Sequence, residues 1–271
     1  MRITNPLTLL VAGLVALTLG GCSPIVISGK ADAEKTAFGS KKQFAVVSIA
    51  AMKTFYGEKG FTQMFKDTDE IPGANSQPLI DGVKPEIIAK LGKDKNIQLV
   101  PERKVLRSKA YKNIEEDERK IKVLFTSDEM NVAKGYKFVS SPEKLASLAK
   151  SLNVDGVIAI NMTFSIQSGK GGFSLNGISL GSKSYSPVAT VSVRAYDRSG
   201  KEIWNDNTTK MAEPGDTKAI FIMDFSDVTS TNFEKMHPKA IEIGTQAVDV
   251  LLTRLDDTLS GKGTSSVQSM K

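Results

Sequence analysis

Apolar residues recur along the chain in patterns that predict a series of strands. Residues 43–50 form a continuous apolar run bounded by lysines, which predicts a strand covered on both faces. Residues 157–166 predict another long strand after a tight turn. Residues 189–195 alternate apolar and polar side chains, as in a strand buried on one face only. A turn at residues 197–200 then predicts a partner strand over residues 201–211.

Other segments carry apolar residues at helical spacing. Residues 79–91 form one such stripe, and Pro85 within it should either kink the helix or mark its first turn. Ser141 followed by Pro142 predicts a second helix start, with the Ser141 hydroxyl as the cap. A stripe over about residues 238–259 predicts a long last helix.

Two further segments predict smaller features. Phe61, Met64 and Phe65 lie at helical spacing and indicate a short helix or lid on the core before a turn at Pro72; the alternative is a binding surface for peptide or glycan. The acidic run at residues 115–118 meets basic residues, which favours a solvated helix. Carboxylates that point around a helix do not converge on one ion, so we expect no metal there.

The order of these elements predicts an α/β fold. We expect a mixed sheet with packed helices, an antiparallel meander near the C-terminal end, and a long C-terminal helix docked on the sheet. Residues 43–260 should form this single domain. A tether over residues 22–42 should precede it, and a flexible tail over residues 261–271 should follow it.

The first 21 residues are typical of an export signal. Arg2 supplies a positive start, and residues 7–19 are almost entirely apolar and carry no acid. This run is shorter than the roughly 20 residues that span a bilayer. It ends in Leu19-Gly20-Gly21-Cys22. That ending resembles the lipobox of bacterial lipoproteins.

The lipoprotein resemblance implies that Cys22 is acylated, with chains such as palmitate, and becomes the new amino terminus. An ordinary signal peptide that happens to end near a cysteine is the alternative. Because Cys22 is the single cysteine of the chain, acylation would consume a thiol that otherwise stays unpaired. Ser23 in the next position implies an outer-membrane anchor with the domain in the periplasm, or a cell-membrane anchor if the organism has one membrane.

The composition limits the partners and metal sites that the chain can have. The chain is 40% apolar, and its 36 Lys and Arg outweigh 30 Asp and Glu to give a net charge of +6. Because the lysines are dispersed along the sequence, we expect attraction to anionic envelope polymers at most, and no nucleic-acid partner. One cysteine and one histidine exclude a disulfide framework and a two-histidine metal site within the chain.

No residue pattern nominates a catalytic centre or a cofactor. His237 is the single imidazole, lies at the start of the last helix, and lacks a nucleophile elbow elsewhere in the chain. The glycines and lysine of residues 177–184 are spaced incorrectly for a phosphate-binding loop. Trp204 is expected to pack in the core. We therefore expect a non-enzymatic protein without cofactor or metal.

Two passages carry a wider resemblance. Residues 145–158 and 191–204 resemble the anticodon-binding-like α/β domains of the curli secretion-channel lipoprotein family and of the Tol-system periplasmic protein. This resemblance implies a protein-binding role in outer-membrane assembly or secretion. Two alternatives stay open: a subunit of an oligomeric outer-membrane secretion pore, which would make the chain a homo-oligomer, and an envelope glycan hydrolase.

The glycine-rich excursion at residues 169–184 is the second candidate site besides Cys22. In the curli channel family the corresponding segment contributes strands to an oligomeric membrane pore. Here the alternation is shorter than that of a membrane strand, which needs about 9–11 residues. A second such hairpin is not evident, although residues 220–223 lie at the position expected for one. We expect a mobile, exposed hairpin. Its apolar residues, Phe173, Leu175, Ile178 and Leu180, are candidates for contact with a partner or lipid.

Overall fold

A computed structural model describes residues 25–28, 31–58, 69–123, 126–169, 174–175, 178–179, 184–211, 221–222, 234–262 and 267–269. The strands among them are β1 (Ile25–Ser28), β2 (Asp32–Ala33), β3 (Gln43–Met52), β4 (Thr54–Glu58), β5 (Asp69–Asn75), β6 (Gln98–Leu99), β7 (Lys120–Val123), β8 (Thr126–Val132), β9 (Gly156–Gly169), β10 (Ser174–Leu175), β11 (Ile178–Ser179), β12 (Ser184–Asp197), β13 (Glu202–Met211), β14 (Phe221–Ile222) and β15 (Val267–Ser269). The helices are α1 (Gln77–Lys93), α2 (Glu102–Arg107), α3 (Lys109–Asn113), α4 (Pro142–Leu152) and α5 (His237–Ser260), with a 3₁₀ turn at Lys35–Ala37.

One mixed sheet organises the fold, in the order β15-β1-β13-β12-β9-β3-β8-β7. β3 and β9 run parallel, whereas β9, β12 and β13 form an antiparallel meander. α5 packs on β12 and β13 and beside α1. The predicted α/β class, with its mixed sheet, meander and docked last helix, is confirmed.

The apolar patterns account for the positions of these elements. Residues 44–51 of β3 are each at most 2% exposed, as expected for a strand covered on both faces. The alternating apolar residues of β12 are also buried: Ala189, Val191, Val193 and Ala195. α5 approaches this face closely at Gly244, where a Cβ atom would lie 3.0 Å from Cε of Met162 and 3.1 Å from Cγ2 of Val83 in α1. A larger side chain at this crossing would force the two helices and the sheet apart.

The helices predicted over residues 79–91, from Ser141 and over residues 238–259 are present. The apolar stripe of α1 is buried, but Pro85 lies inside the helix and not in its first turn. α4 begins at Pro142 as expected and ends at Leu152, and the next residue, Asn153, adopts the left-handed conformation at φ 54°. Gly200 has φ 89° in the predicted turn between β12 and β13, a conformation that glycine adopts without strain.

The acidic run at residues 115–118 is not helical, which corrects the sequence prediction. Asp117 instead accepts hydrogen bonds from the backbone N–H groups of Ser140 and Ser141, at 2.6 and 2.7 Å. The Ser141 hydroxyl donates to Asp117 at 3.0 Å and does not cap α4. Lys144 completes the arrangement with its Nζ 2.8 Å from Oδ1 of Asp117. Charge-assisted hydrogen bonds of this kind outweigh the weak helix preference of the local sequence.

Replacing Asp117 with asparagine should lower the free energy of unfolding by about 2 kcal/mol near neutral pH. Burial disfavours the carboxylate, but hydrogen bonds from Lys144, Ser140 and Ser141 outweigh burial and hold the pKa of Asp117 well below its ordinary value. A group whose folded-state pKa lies below its unfolded value of about 3.9 stabilises the fold fully above that pH, and the contribution is lost as the pH falls through the folded-state pKa.

The difference between the natural protein and this variant should therefore shrink as the pH falls below about 4. Urea unfolding at several pH values measures it. If the difference in the free energy of unfolding stayed constant over that range, the charge of Asp117 would not be the source of its stabilising effect.

The two ends of the chain contribute more to the fold than the sequence indicated. Phe38, in the expected tether, is buried and stacks on Phe44 with ring centroids 5.1 Å apart. β15, in the expected tail, pairs with β1. Pro72, expected in a turn, lies within β5, whose described pairing is with β4 on one side, so the missing N–H is tolerated there. The helix expected around Phe61 lies outside the described residues.

Candidate functional site: the hairpin end of the sheet

The two longest strands extend past their neighbours at one end of the sheet. β9 and β12 pair along their whole length, from Gly156 opposite Asp197 to Gly169 opposite Ser184. β13 ends with Met211 opposite Val188. The last residues of β9 and the first of β12 therefore project beyond β13. We call this end of the sheet the hairpin end.

A second hairpin lies beside the first. β4 runs parallel to β9, with Tyr56 next to Ser165, and β5 returns antiparallel to β4. β14 adds to β12 with Phe221 opposite Tyr185. The hairpin end is thus a ribbon in the order β5-β4-β9-β12-β14. The sequence analysis did not find this β4-β5 hairpin: the turn expected at Pro72 is part of β5, and the helix expected around Phe61 lies outside the described residues.

Polar contacts hold the point where β3 passes into β4. The backbone N–H of Lys53 donates to the carbonyl of Glu129 at 2.7 Å, and the carbonyl of Lys53 accepts from Ser76 at 3.2 Å. Nζ of Lys53 also lies 2.8 Å from Oε2 of Glu129, and this hydrogen-bonded ion pair lowers the pKa of Glu129. The exposed ion pair adds little stability, but the backbone bonds fix where β4 leaves the core.

The first strand of the chain also begins at the hairpin end. Val26 of β1 pairs with Lys210, Lys210 with Ala189, and Ala189 with Phe164. Ile25 therefore lies at about the level of Ser165. Because β1 runs antiparallel to β13, the chain that precedes it enters from the hairpin end.

α5 likewise begins near the hairpin end. Gly244 lies near Phe164, whereas Gly261, which follows α5, lies near Lys35 at the opposite end of the sheet. Three strands also have their last residue at this end: β4 at Glu58, β9 at Gly169 and β13 at Met211.

Apart from Cys22, the residues that the sequence nominated as a site all lie between Gly169 of β9 and Ser184 of β12. Cys22, Phe173 and Leu180 lie outside the described residues. Leu175 and Ile178 are opposite each other in the short β10-β11 pair, which is a separate two-stranded sheet. Their assignment as contact residues, and that of Cys22 as the lipid site, stay predictions.

A buried ion pair that the sequence did not reveal connects α5 to the sheet. Arg254 of α5 donates from Nε to Oδ2 of Asp206 at 2.9 Å and from Nη2 to Oδ1 at 2.9 Å. The two side chains are 2% and 0% exposed. Asp206, Thr208 and Lys210 follow Trp204 at alternate positions of β13, and that polar alternation under an apolar helix was the available sequence signal.

The other candidate residues occupy structural positions. Trp204 is 2% exposed and packs edge-on against Phe38 with centroids 6.2 Å apart, which confirms its place in the core. His237 is the first residue of α5, is half-buried, and has its pKa lowered by burial. Within the described ranges, no three His, Cys, Asp or Glu side chains are grouped so that they could hold a metal ion. No described helix combines the length and apolar character of a membrane span.

Comparison with known proteins does not assign this chain to a family. No family model matches the chain, and no curated protein matches it. A solved structure of a PelC dodecamer from Paraburkholderia phytofirmans is 11% identical, with 84% of this chain and 98% of that chain covered. Its TM-score is 0.26, a value that does not establish a shared fold.

Proposed function

We propose that this chain is a lipid-anchored, non-enzymatic protein of the cell envelope that binds another envelope protein in outer-membrane assembly or secretion. The observation that carries the proposal is the convergence at the hairpin end. The ends of two β-hairpins, the last residue of β13 and the first residue of β1 all lie at that end. The partner surface is accordingly the hairpin end.

The position of β1 supports the proposal that the membrane lies next to the hairpin end. Three residues of extended chain reach at most about 10 Å, so Cys22 cannot lie far from Ile25. With Cys22 acylated in the outer membrane, the hairpin end faces that membrane and the opposite end, with the β12-β13 turn, faces the periplasm. A partner bound at the hairpin end would therefore lie in or against the membrane.

A subunit of an oligomeric secretion pore is the second candidate function. The observation in its favour is the ribbon, whose outer strands among the described residues are β5 and β14. Strand edges of this kind pair with strands of other chains. Pairing of the β5 edge of one copy with the β14 edge of the next would be a head-to-tail contact, which closes into a ring when the rotation allows it.

Photo-crosslinking in intact cells tests the proposal and separates it from the pore. A crosslinking residue is introduced at Ser168, and in another variant at Gln167, so that both faces of β9 are probed. The matched control carries it at Ser199, which is exposed in the β12-β13 turn at the opposite end. We expect crosslinks to a different envelope protein from residues 167 or 168 and none to that protein from residue 199.

Crosslinks solely to further copies of the chain, together with a large ring in detergent extracts, would instead support the pore. Equal crosslinking from all three positions would contradict a partner surface at the hairpin end.

Replacing Cys22 with alanine should abolish acylation, because the thiol is the proposed attachment point. Metabolic labelling with a fatty acid measures this, and fractionation should show the unlabelled protein lost from the outer membrane. Ser23→Ala is the matched control and should keep its label. Label that persists in the Cys22→Ala variant would place the anchor elsewhere.

A further inference from the structure

The helices α2 and α3 carry a cluster of positive charge. The sequence analysis did not single out this cluster, because lysines are dispersed along the whole chain. We call it the basic surface; its residues are Arg103, Lys104, Arg107, Lys109 and Lys112, all exposed. Glu102 is the one acid in this segment, and it points to Lys84, whose Nζ lies 3.3 Å from its Oε1. No carboxylate among the described residues pairs with any of the five cations.

Several cations elsewhere on the described surface are neutralised. Lys90 pairs with Asp249 at 2.6 Å, and Lys95 pairs with Asp256 at 2.9 Å. Lysines spread over a surface with acids nearby create little potential at any point, whereas five unneutralised cations on two adjoining helices create a local positive field. The basic surface therefore has a stronger local positive potential than the overall net charge of the chain would indicate.

The fold directs these cations outward. Val105 and Tyr111 are buried, and the Tyr111 hydroxyl donates to the carbonyl of Val47 in β3 at 2.9 Å. With their apolar positions held against the edge of β3, the helices present their charged positions to solvent. Arg103 and Lys104, with Arg107 one turn further on, line a shallow depression next to Pro101 and Ser108.

The composition of the basic surface indicates the chemistry of its partner. Arg103 and Arg107 offer forked donors that fit carboxylates as well as phosphates. Protein partners usually require exposed aromatic or aliphatic anchors, and apart from Pro101 the exposed residues of this segment are charged or polar. A flexible polymer with repeated negative charges needs no apolar anchor, because the attraction is additive along its length.

The basic surface is also remote from the proposed membrane contact. Val47, which anchors α3, lies at the level of Ile158, whereas Ile25 lies at the level of Ser165. Seven strand residues correspond to about 23 Å. Lipid headgroups at the hairpin end are therefore not the natural ligand of this surface.

We propose that the basic surface binds an acidic polysaccharide of the envelope, a linear glycan that carries carboxylate groups. Arg103, Lys104 and Arg107 contact neighbouring carboxylates at the depression, and Lys109 and Lys112 extend the contact along α3. The exclusion of lipid headgroups rests on the membrane contact proposed for the hairpin end, whereas glycan binding by the basic surface can be tested separately from that function.

Binding of the full-length protein in detergent to polygalacturonate tests this proposal. One variant combines Arg103→Gln, Lys104→Gln and Arg107→Gln. The matched control combines Lys41→Gln, Lys93→Gln and Lys150→Gln, which removes the same charge from exposed positions far apart in the sequence. Thermal melts of both variants show whether the fold is kept.

We expect the first variant to lose at least about tenfold in affinity and to bind with a weaker dependence on salt, because fewer counterions are released. The control variant should bind within about twofold of the natural protein. Equal losses in the two variants would mean that overall charge causes the binding, and unchanged binding in the first would place the glycan elsewhere; either result overturns the proposal.

Polyglutamate of similar charge and length separates the two classes of polymer. We expect it to bind no more tightly than polygalacturonate. Tighter binding of polyglutamate that is lost in the first variant would identify the partner as an acidic protein segment and overturn the assignment to a glycan.

Discussion

Replacing Arg254 with methionine is expected to lower the free energy of unfolding by about 3–5 kcal/mol. The substitution keeps a long, unbranched side chain but leaves the Asp206 carboxylate, which is 0% exposed, without its bidentate partner. A buried charge that loses its partner retains the full cost of leaving water. Denaturant unfolding followed by circular dichroism measures the loss.

The double variant Arg254→Met, Asp206→Leu should be less destabilised than Arg254→Met alone. It removes both charges, and an apolar pair can replace a buried ion pair at little cost. Lys95→Met is the surface control: the side chain of Lys95 is 75% exposed, and loss of its ion pair with Asp256 should change stability by less than about 1 kcal/mol. If Arg254→Met cost no more than Lys95→Met, the buried pair would not stabilise the link between α5 and the sheet.

Deleting residues 170–183 should abolish the cellular role of the protein and leave its stability nearly unchanged. Gly169 and Ser184 lie opposite each other, so a two-residue turn can join them without a shift in register. Shortening a connection changes loop-closure entropy slowly, so we expect a change in the free energy of unfolding below about 1 kcal/mol. The proposed partner contacts at Phe173, Leu175, Ile178 and Leu180 would be lost. Complementation of a strain that lacks the protein measures the role, and a thermal melt measures the stability.

A variant of unchanged length shows whether the excursion acts through its apolar side chains or only as a spacer. Substituting serine at Phe173, Leu175, Ile178 and Leu180 keeps the excursion but removes its apolar side chains, and should also abolish the cellular role. Full complementation by both variants would show that the excursion is a spacer. A large loss of stability in the deletion variant would show that these residues belong to the core.

The candidate site could be predicted only in part. Residues 169–184 stand out because glycines follow a long strand, and Cys22 stands out because a motif surrounds it. The β4-β5 hairpin could not be found in this way, because β4 is a short strand and its pairing with β9 joins residues far apart in the sequence, such as Tyr56 and Ser165. The convergence of these segments on one end depends on the register of β1, β4 and β12, which no local pattern encodes.

The sequence by itself determined the elements whose apolar residues repeat locally, such as β3, β12, α4 and α5, and through their order the α/β class. Periodicity is sufficient there because each element buries one face or both. The tertiary structure alone decided the roles of the charged residues. Asp117 binds the residues before α4 instead of extending a helix, Arg254 meets Asp206 beneath α5, and the cations of α2 and α3 gather on one surface. The physical reason is that the energy of a charge depends on its burial and on partners brought near it by folding, and neither is visible along the chain.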